Sequence, residues 1–264
     1  MKCQNCGHIF RGNFCHNCGQ KSNTNRIDSQ HVIFDLPNSL FQINSGILYT
    51  IKNLFTRPGE SINEFIEGKR KNHFKPIAFL FITSTIFLLI NSLTNQDKFA
   101  IGNFSFIQHF FEPFQTGWQE AALSEGTNAP YPNPMIWISK NFTYFFMFLV
   151  PIFSLASYLI FKKSKFNYFE HVVLNSYITG QQMVIYSIMV LLAFSIGIQD
   201  SQIFYTLTWF VGFTYLFWAY QQFFRNYKPF KKALLFLLTD VLYIFFLFLF
   251  LYGIFRLSAY FSVY

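Results

Sequence analysis

Cysteine is absent from this sequence after residue 18, and charged residues are scarce throughout it. The first absence excludes a disulfide framework or a cysteine nucleophile in the long remainder of the chain. The second, 12% charged against 52% hydrophobic residues, excludes an ordinary soluble domain. The sequence also lacks a phosphate-binding loop, a metalloprotease helix and a nucleophile with a recognisable base. No reaction is therefore predicted, and an enzyme is the less favoured class.

The cysteines that are present form two Cys-x-x-Cys-Gly motifs, with Cys3, Cys6, Cys15 and Cys18 as the four thiols. Two such pairs can converge on one tetrahedral ion. The eight residues from Gly7 to Phe14 leave room for one β-hairpin and no hydrophobic core, so metal must supply the folding energy. Two disulfides are the alternative, but without a cleavable signal peptide we expect the motifs on the reducing cytosolic side.

We therefore predict structural Zn²⁺ in a zinc ribbon over residues 1–22. His8 and His16 lie beside the motifs as substitute ligands, although four thiolates already complete a closed site and the imidazoles are better read as solvent-facing. A closed site leaves no position for substrate, which argues against catalysis at the metal.

Five later segments are apolar and have about the length of a membrane crossing. They cover residues 76–93, 142–161, 172–198, 203–224 and 233–255. Twelve basic residues flank alternate ends of these segments: Arg57, Lys69, Arg70, Lys71, Lys75, Lys162, Lys163, Lys165, Arg225, Lys228, Lys231 and Lys232. Only Lys98, Lys140 and Arg256 flank the other ends. The positive-inside rule then predicts a cytoplasmic N-terminus and an external C-terminus.

The predicted fold is an all-α polytopic membrane protein, with about five transmembrane helices over residues 76–264 and a small cytosolic zinc ribbon at its N-terminus. Residues 23–75 are expected to contain juxtamembrane amphipathic helices lying on the bilayer surface, one around Ile51 and Leu54, and one from Pro58 to Gly68. The basic run Lys69, Arg70 and Lys71 is then expected to contact lipid headgroups. A further amphipathic helix is predicted in the external segment 94–141.

Polar residues inside the predicted spans form a second candidate site. Asp240 is an ionisable residue in the fifth span, and such residues are functional suspects. His171, Asn175, Gln182 and Gln221 fall at a similar depth near the cytoplasmic ends of their helices. Together they would line a polar cavity or, as the alternative, bond helices to one another at about 1 kcal/mol or less per bond. For Asp240 we favour a functional role, because a carboxyl group costs more to bury.

The segment that joins the cysteine motifs to the first span carries a recognisable string. It reads Arg57-Pro58-Gly59, then Ile62, Phe65-Ile66, Gly68-Lys69-Arg70, His73-Phe74 and Pro76. Behind a double cysteine motif, this string resembles the bacterial family called domain of unknown function 3667. The resemblance covers roughly the first third of the chain. It implies a zinc-ribbon integral membrane protein of the Bacteroidota, located in the inner membrane, and it implies no catalytic residues.

Two functional classes follow. The first is a non-enzymatic inner-membrane protein whose ribbon docks a cytosolic protein partner or folds against the membrane body. The alternative is a transporter, channel or lipid-handling protein that uses the polar residues near the cytoplasmic leaflet, although the absence of an internal repeat disfavours a standard transporter. Membrane lipids are expected partners, and a homo-oligomer is compatible with the sequence. Nucleic acid is disfavoured because the basic patch beside Asp28 is thin.

Overall fold

The computed structural model of the protein describes residues 1–28, 46–94, 142–198 and 201–263. Within these ranges there are seven α-helices and no β-strand. They are α1 (Gly46–Thr56), α2 (Pro58–Ile66), α3 (Pro76–Leu93), α4 (Phe142–Ile160), α5 (Tyr168–Ile196), α6 (Gln202–Phe223) and α7 (Pro229–Val263). A short 3₁₀ turn, Lys162–Ser164, follows α4. The amphipathic helix predicted within 94–141 lies outside the described residues.

Three helical segments are long and apolar enough to cross a membrane: α3, α5 and Pro229–Ile254 of α7. The described apolar part of α4, Met147–Ile160, is shorter than a crossing, and α6 is not among the three. Threonine, tyrosine and glutamine side chains lower the hydropathy of α6. Each of the five predicted spans therefore coincides with a helix. Three of these helices support the prediction of a membrane protein. The number of five spans stays a prediction.

Helix α5 begins at Tyr168, four residues before its predicted start. The Asn167 side chain accepts a hydrogen bond from the backbone N–H of Glu170, and the Glu170 carboxylate accepts one from the backbone N–H of Asn167. This capping box satisfies two donors that an uncapped helix end leaves without partners. The consequence is that His171 lies within the first turn of α5 and is fully buried.

Helix α5 is the central element of the bundle. It packs along α3 and also contacts α4 and α6, while α7 lies mainly against α4. Close packing of α5 on α3 depends on Gly180, where a Cβ would lie only 2.6 Å from the Phe79 ring and 3.2 Å from Thr83 Oγ1. Where α4 and α6 end, the rings of Phe161 and Phe224 stack with centroids 3.8 Å apart.

Helices α1 and α2, which were predicted to lie on the bilayer surface, pack partly against other helices. Leu54, Ile62 and Phe65 are buried in one hydrophobic core with Tyr177 of α5 and Phe223 of α6. Leu48 and Phe55 on α1 remain 72% and 40% exposed, so contact of these helices with the bilayer surface stays a prediction. An amphipathic pattern indicates only that one face avoids water, and it does not say whether lipid or protein covers that face.

Candidate functional site

The four cysteines converge at one point. All four Sγ atoms lie within 4.8 Å of one another. The pairs Cys3–Cys18 and Cys6–Cys15 are each 3.6 Å apart, and all four thiols are free of disulfide bonds. Sulfurs bound at about 2.3 Å to a tetrahedral ion are about 3.8 Å apart, whereas disulfide sulfurs are about 2 Å apart. The donor set and its spacing therefore fit a metal ion.

Each cysteine motif closes on itself. Gly7 and Gly19 have φ of +75° and +72°, and each donates its backbone N–H to the carbonyl of the first cysteine of its motif. Single antiparallel bridges join Lys2 to Ile9 and Phe14 to Lys21, one around each motif. The hairpin predicted over Gly7–Phe14 is thereby corrected, because the pairing occurs around each motif and not between the two.

The thiols differ from one another before any metal binds. The backbone N–H of His8 is the main cause that lowers the pKa of the exposed Cys6 thiol to about 6. Burial raises the pKa of Cys18 to about 11. A bound cation would hold all four sulfurs as thiolates.

His8 and His16 contact each other on the surface beside the thiols. Their Nε2 atoms lie 2.9 Å apart, and the rings meet edge to face with centroids separated by 4.7 Å. Both side chains are exposed. Among the described residues, the group that can hold a metal consists of the four cysteines without these histidines.

The cysteine motifs dock on the linker between α2 and α3. Gln20, the residue after the second motif, is buried, and its Oε1 accepts the backbone N–H of Arg70 at 3.0 Å and of Lys71 at 3.2 Å. The Arg70 guanidinium donates to the carbonyl of Asn25 at 2.8 Å. The basic run therefore lies against the head of the molecule, and its contact with lipid headgroups stays a prediction.

A second set of contacts joins the chain after the motifs to the start of α5. The Arg26 guanidinium bonds both carboxylate oxygens of Glu170, at 3.0 and 2.9 Å. Asn167 donates from Nδ2 to the carbonyl of Ile27, and the Ile27 side chain is buried in the main core. The bond to Glu170 raises the pKa of Arg26. Sequence reasoning missed this junction, although the Asn167-to-Glu170 capping pattern marks its helical side.

An ion-pair network lies on the outer side of α2. The Glu64 carboxylate pairs with Arg57 and with Lys69, each at 3.2 Å. Burial alone would raise the pKa of Glu64, but the hydrogen bonds from Arg57 and Lys69 outweigh it and hold the pKa below its ordinary value. Lys69, which was predicted to contact headgroups, is thus engaged with α2.

The predicted intramembrane site is only partly assembled. His171 Nδ1 lies 2.8 Å from Ser157 Oγ, Asn175 Nδ2 donates to Ser154 Oγ at 3.0 Å, and the Tyr220 hydroxyl donates to Asn175 Oδ1 at 2.8 Å. These residues come from α4, α5 and α6, and all are buried. The bonds between them fit the alternative of interhelical contacts more than a cavity.

The other predicted members make different contacts. Gln182 donates to the carbonyl of Gly212 in α6 at 2.9 Å, and the backbone carbonyl of Gln221 accepts from Lys232. Asp240 is half-buried, and its Oδ2 has no hydrogen-bond partner within the described ranges. Asn175 and Gln182 share a helix face but are separated by about 10 Å along it, because seven residues rise 1.5 Å each. Gln182 is therefore not bonded to the Asn175 group, and a single cluster that also includes Asp240 and Gln221 stays a prediction. Gln181, next to Gln182 in the sequence, is fully buried with neither polar atom bonded in the described structure.

Comparison with known proteins finds a family model that matches one segment of the chain. A family model described as a protein of unknown function (DUF3667) matches residues 44–88, which comprise α1, α2, the linker and most of α3. The resemblance drawn from the Arg57-to-Pro76 string is confirmed over that segment. No curated protein and no solved structure matches the chain.

The matched segment is fastened to the helices around it through its motif residues. The backbone N–H of Gly59 donates to Gln222 Oε1 at 3.1 Å, and Asn63 Nδ2 donates to the carbonyl of Phe223 at 2.9 Å. His73 is buried, with Nδ1 2.9 Å from the carbonyl of Lys69 and Nε2 3.0 Å from Ser61 Oγ. A carbonyl can only accept, so Nδ1 carries the proton of that hydrogen bond. Burial lowers the pKa of His73.

Proposed function

We propose that this chain is a bacterial inner-membrane protein in which a zinc ribbon serves as a structural clamp on the cytoplasmic face of a helical membrane body. One observation carries the proposal. Two residues that follow the second cysteine motif bind separate parts of the helical body. Gln20 binds the α2–α3 linker, and Arg26 binds the start of α5.

Zinc is the metal best matched to the site. Four thiolates in tetrahedral spacing are a common structural zinc site, and soft sulfur ligands disfavour magnesium or calcium. The fully thiolate set leaves no position for water or substrate, so the ion would order the chain and supply no chemistry. Ordering residues 1–22 fixes where Gln20 lies and brings the following chain, with Arg26, towards α5, which links metal binding to the cytoplasmic face.

The same contacts support the proposed topology. The head touches Arg70 and Lys71 before α3, Lys165 between α4 and α5, and Glu170 in the first turn of α5. Both connections belong to the basic set that the positive-inside rule assigns to the cytoplasm. A five-span arrangement with a cytoplasmic N-terminus and an external C-terminus brings them to one side of the membrane.

Specific observations support two further roles. Ile9 and Phe14 of the head are 76% and 57% exposed, which suits contact with a cytosolic protein partner. Asp240 Oδ2 and the amide of Gln181, unpaired in the described part of the chain, favour a transporter, channel or lipid-handling protein as the second candidate. An enzyme is the less favoured class because the sequence has no nucleophile with a recognisable base.

The clamp can be tested by metal analysis combined with hydrogen exchange. Purified full-length protein is expected to hold one zinc per chain, and Cys15→Ser or chelation is expected to remove it. The backbone amides of Arg70 and Lys71 should then exchange faster, because Gln20 no longer accepts from them. The amide of Phe74, which donates to Thr50 Oγ1, is the internal control and should keep its protection.

Two outcomes would contradict the proposal. One is zinc near zero in the reduced protein, or a disulfide between the motifs. The other is unchanged exchange at Arg70 and Lys71 after the zinc has been removed.

A further inference from the structure

A cavity opens where three connections meet at the end of the bundle near the head. It has a volume of about 110 Å³ and lies between the end of α2, the turn after α4 and the loop between α6 and α7. A single buried water needs a cavity volume of only about 10 to 15 Å³, measured in the same way. The cavity therefore has room for a polar group of several non-hydrogen atoms.

Two buried hydroxyl groups beside this cavity have no hydrogen-bond partner among the residues that the structure describes. They are Ser164 Oγ, on a residue that is 6% exposed, and Tyr227 Oη. Buried hydroxyl groups are nearly always paired, with protein or with ordered water, so each has a hydrogen bond left for an occupant of the cavity. The walls around them are aromatic, with Phe166, Phe223 and Phe224.

The cavity also carries one charge of each sign at its mouth. Arg225 and Glu67 both line it, both are exposed, and no ion pair engages either of them in the described structure. A guanidinium presents a planar set of donors that matches phosphate oxygens. A carboxylate on the same rim would repel a second phosphate and attract an ammonium group.

We propose that this cavity binds a phosphate group that carries an amine beside it, the chemistry of phosphoethanolamine. Arg225 and the Ser164 and Tyr227 hydroxyls bind the phosphate oxygens, and Glu67 accepts from the ammonium group. Two sources can supply this chemistry, a phosphatidylethanolamine headgroup and soluble phosphoethanolamine. The lipid source rests on the proposed topology, which sets the cavity at the cytoplasmic surface of the membrane.

The test uses full-length protein, stripped of lipid in detergent, with short-chain phosphatidylethanolamine, short-chain phosphatidylglycerol and soluble phosphoethanolamine as probes, and calorimetry as the readout. Arg225→Gln is expected to weaken phosphatidylethanolamine binding about tenfold or more, the value of a charge-assisted hydrogen bond. Glu67→Gln should remove the preference for phosphatidylethanolamine over phosphatidylglycerol. Lys228→Gln is the matched control, since Lys228 is an exposed cation in the same loop that does not line the cavity.

The outcomes separate the source of the ligand from the existence of the site. If phosphoethanolamine binds as tightly as the lipid, and Arg225→Gln weakens both equally, the site is supported and its ligand is the soluble molecule. Lipid binding alone, with that dependence, supports the headgroup. Equal affinity in Arg225→Gln and wild type, or equal binding of the two lipids by wild type, overturns the proposal. Since detergent-solubilised protein has no sidedness, an error in the topology would leave these results unchanged.

Discussion

Replacement of Gly59 by alanine tests how tightly the DUF3667 segment is held against α6. A Cβ at this position would lie 2.3 Å from the backbone N of Phe223, 2.5 Å from the carbonyl oxygen of Ala219 and 2.6 Å from the Cβ of Gln222. Favourable contact between heavy atoms begins at about 3.5 Å. Two of the three atoms belong to the backbone of α6, so no side chain can rotate away. Helix α2 must therefore retreat from α6 by about 1 Å.

The cost of that retreat follows from the contacts at the interface. The bonds from Gly59 N–H to Gln222 and from Asn63 to the Phe223 carbonyl would be stretched or lost, at about 1 kcal/mol each. Overpacking adds about 1 to 3 kcal/mol. We expect Gly59→Ala to lower the free energy of unfolding by about 3 to 5 kcal/mol, which corresponds to a fall in Tm of about 10 °C for a chain of this size.

Thermal unfolding of the detergent-solubilised protein measures the effect, with Gly253→Ala as the control. No heavy atom outside its own helix and chain neighbours lies within 4 Å of a Cβ at Gly253, and this glycine is inside α7. The control should therefore be neutral or stabilise by up to about 1 kcal/mol. Equal Tm values for the two variants would refute the close contact between α2 and α6.

Three further predictions concern topology, the buried carboxyl and pH. An alkaline phosphatase fused after Tyr264 should be active, and one fused within residues 224–233 should not; the reverse pattern would refute the five-span arrangement. Asp240→Asn should preserve expression but alter function, whereas an Asp240→Leu variant that is more stable and fully complements a deletion would show the acid to be dispensable. Because burial lowers the pKa of His73, the unfolded chain takes up a proton at about pH 6.5 and the folded protein only at a lower pH. Stability should fall as pH drops below 6.5, by up to about 1.4 kcal/mol per unit, and His73→Gln should flatten that part of the profile in detergent.

Sequence alone could predict what is encoded within a few residues. The metal site is an example, because four cysteines at short spacing leave little freedom in how they converge. The bounds of α2 are a second example. Pro58 begins the helix, and Gly68, with φ of +107°, follows its end. The apolar spacing of α1 and α2 also indicated helices correctly.

Contacts between distant parts of the chain could not be predicted in this way. Arg26 and Glu170 are 144 positions apart, and nothing near either residue identifies the other. Depth along a helix was also an insufficient guide to contact. Asn175 and Gln182 share a face of α5, yet Asn175 bonds residues of α4 and α6 while Gln182 bonds the backbone of α6 farther along. Which neighbour a polar side chain meets depends on helix packing, which periodicity does not record.

The distance in sequence between Gly59 and Gln222 has a consequence for synthesis of the protein. Their hydrogen bond joins residues 163 positions apart, so α2 is made long before the surface that covers it. At about 5 to 20 residues per second, the ribosome needs about 10 to 30 s to reach α6. During that interval α3 and α5 are already available to the apolar faces of α1 and α2, but the surface of α2 that contacts α6 has no partner there. The cysteine motifs need no such delay, because all their metal ligands have emerged by residue 18. Assembly of this end of the molecule would thus start from the cysteine motifs and finish only when α6 arrives.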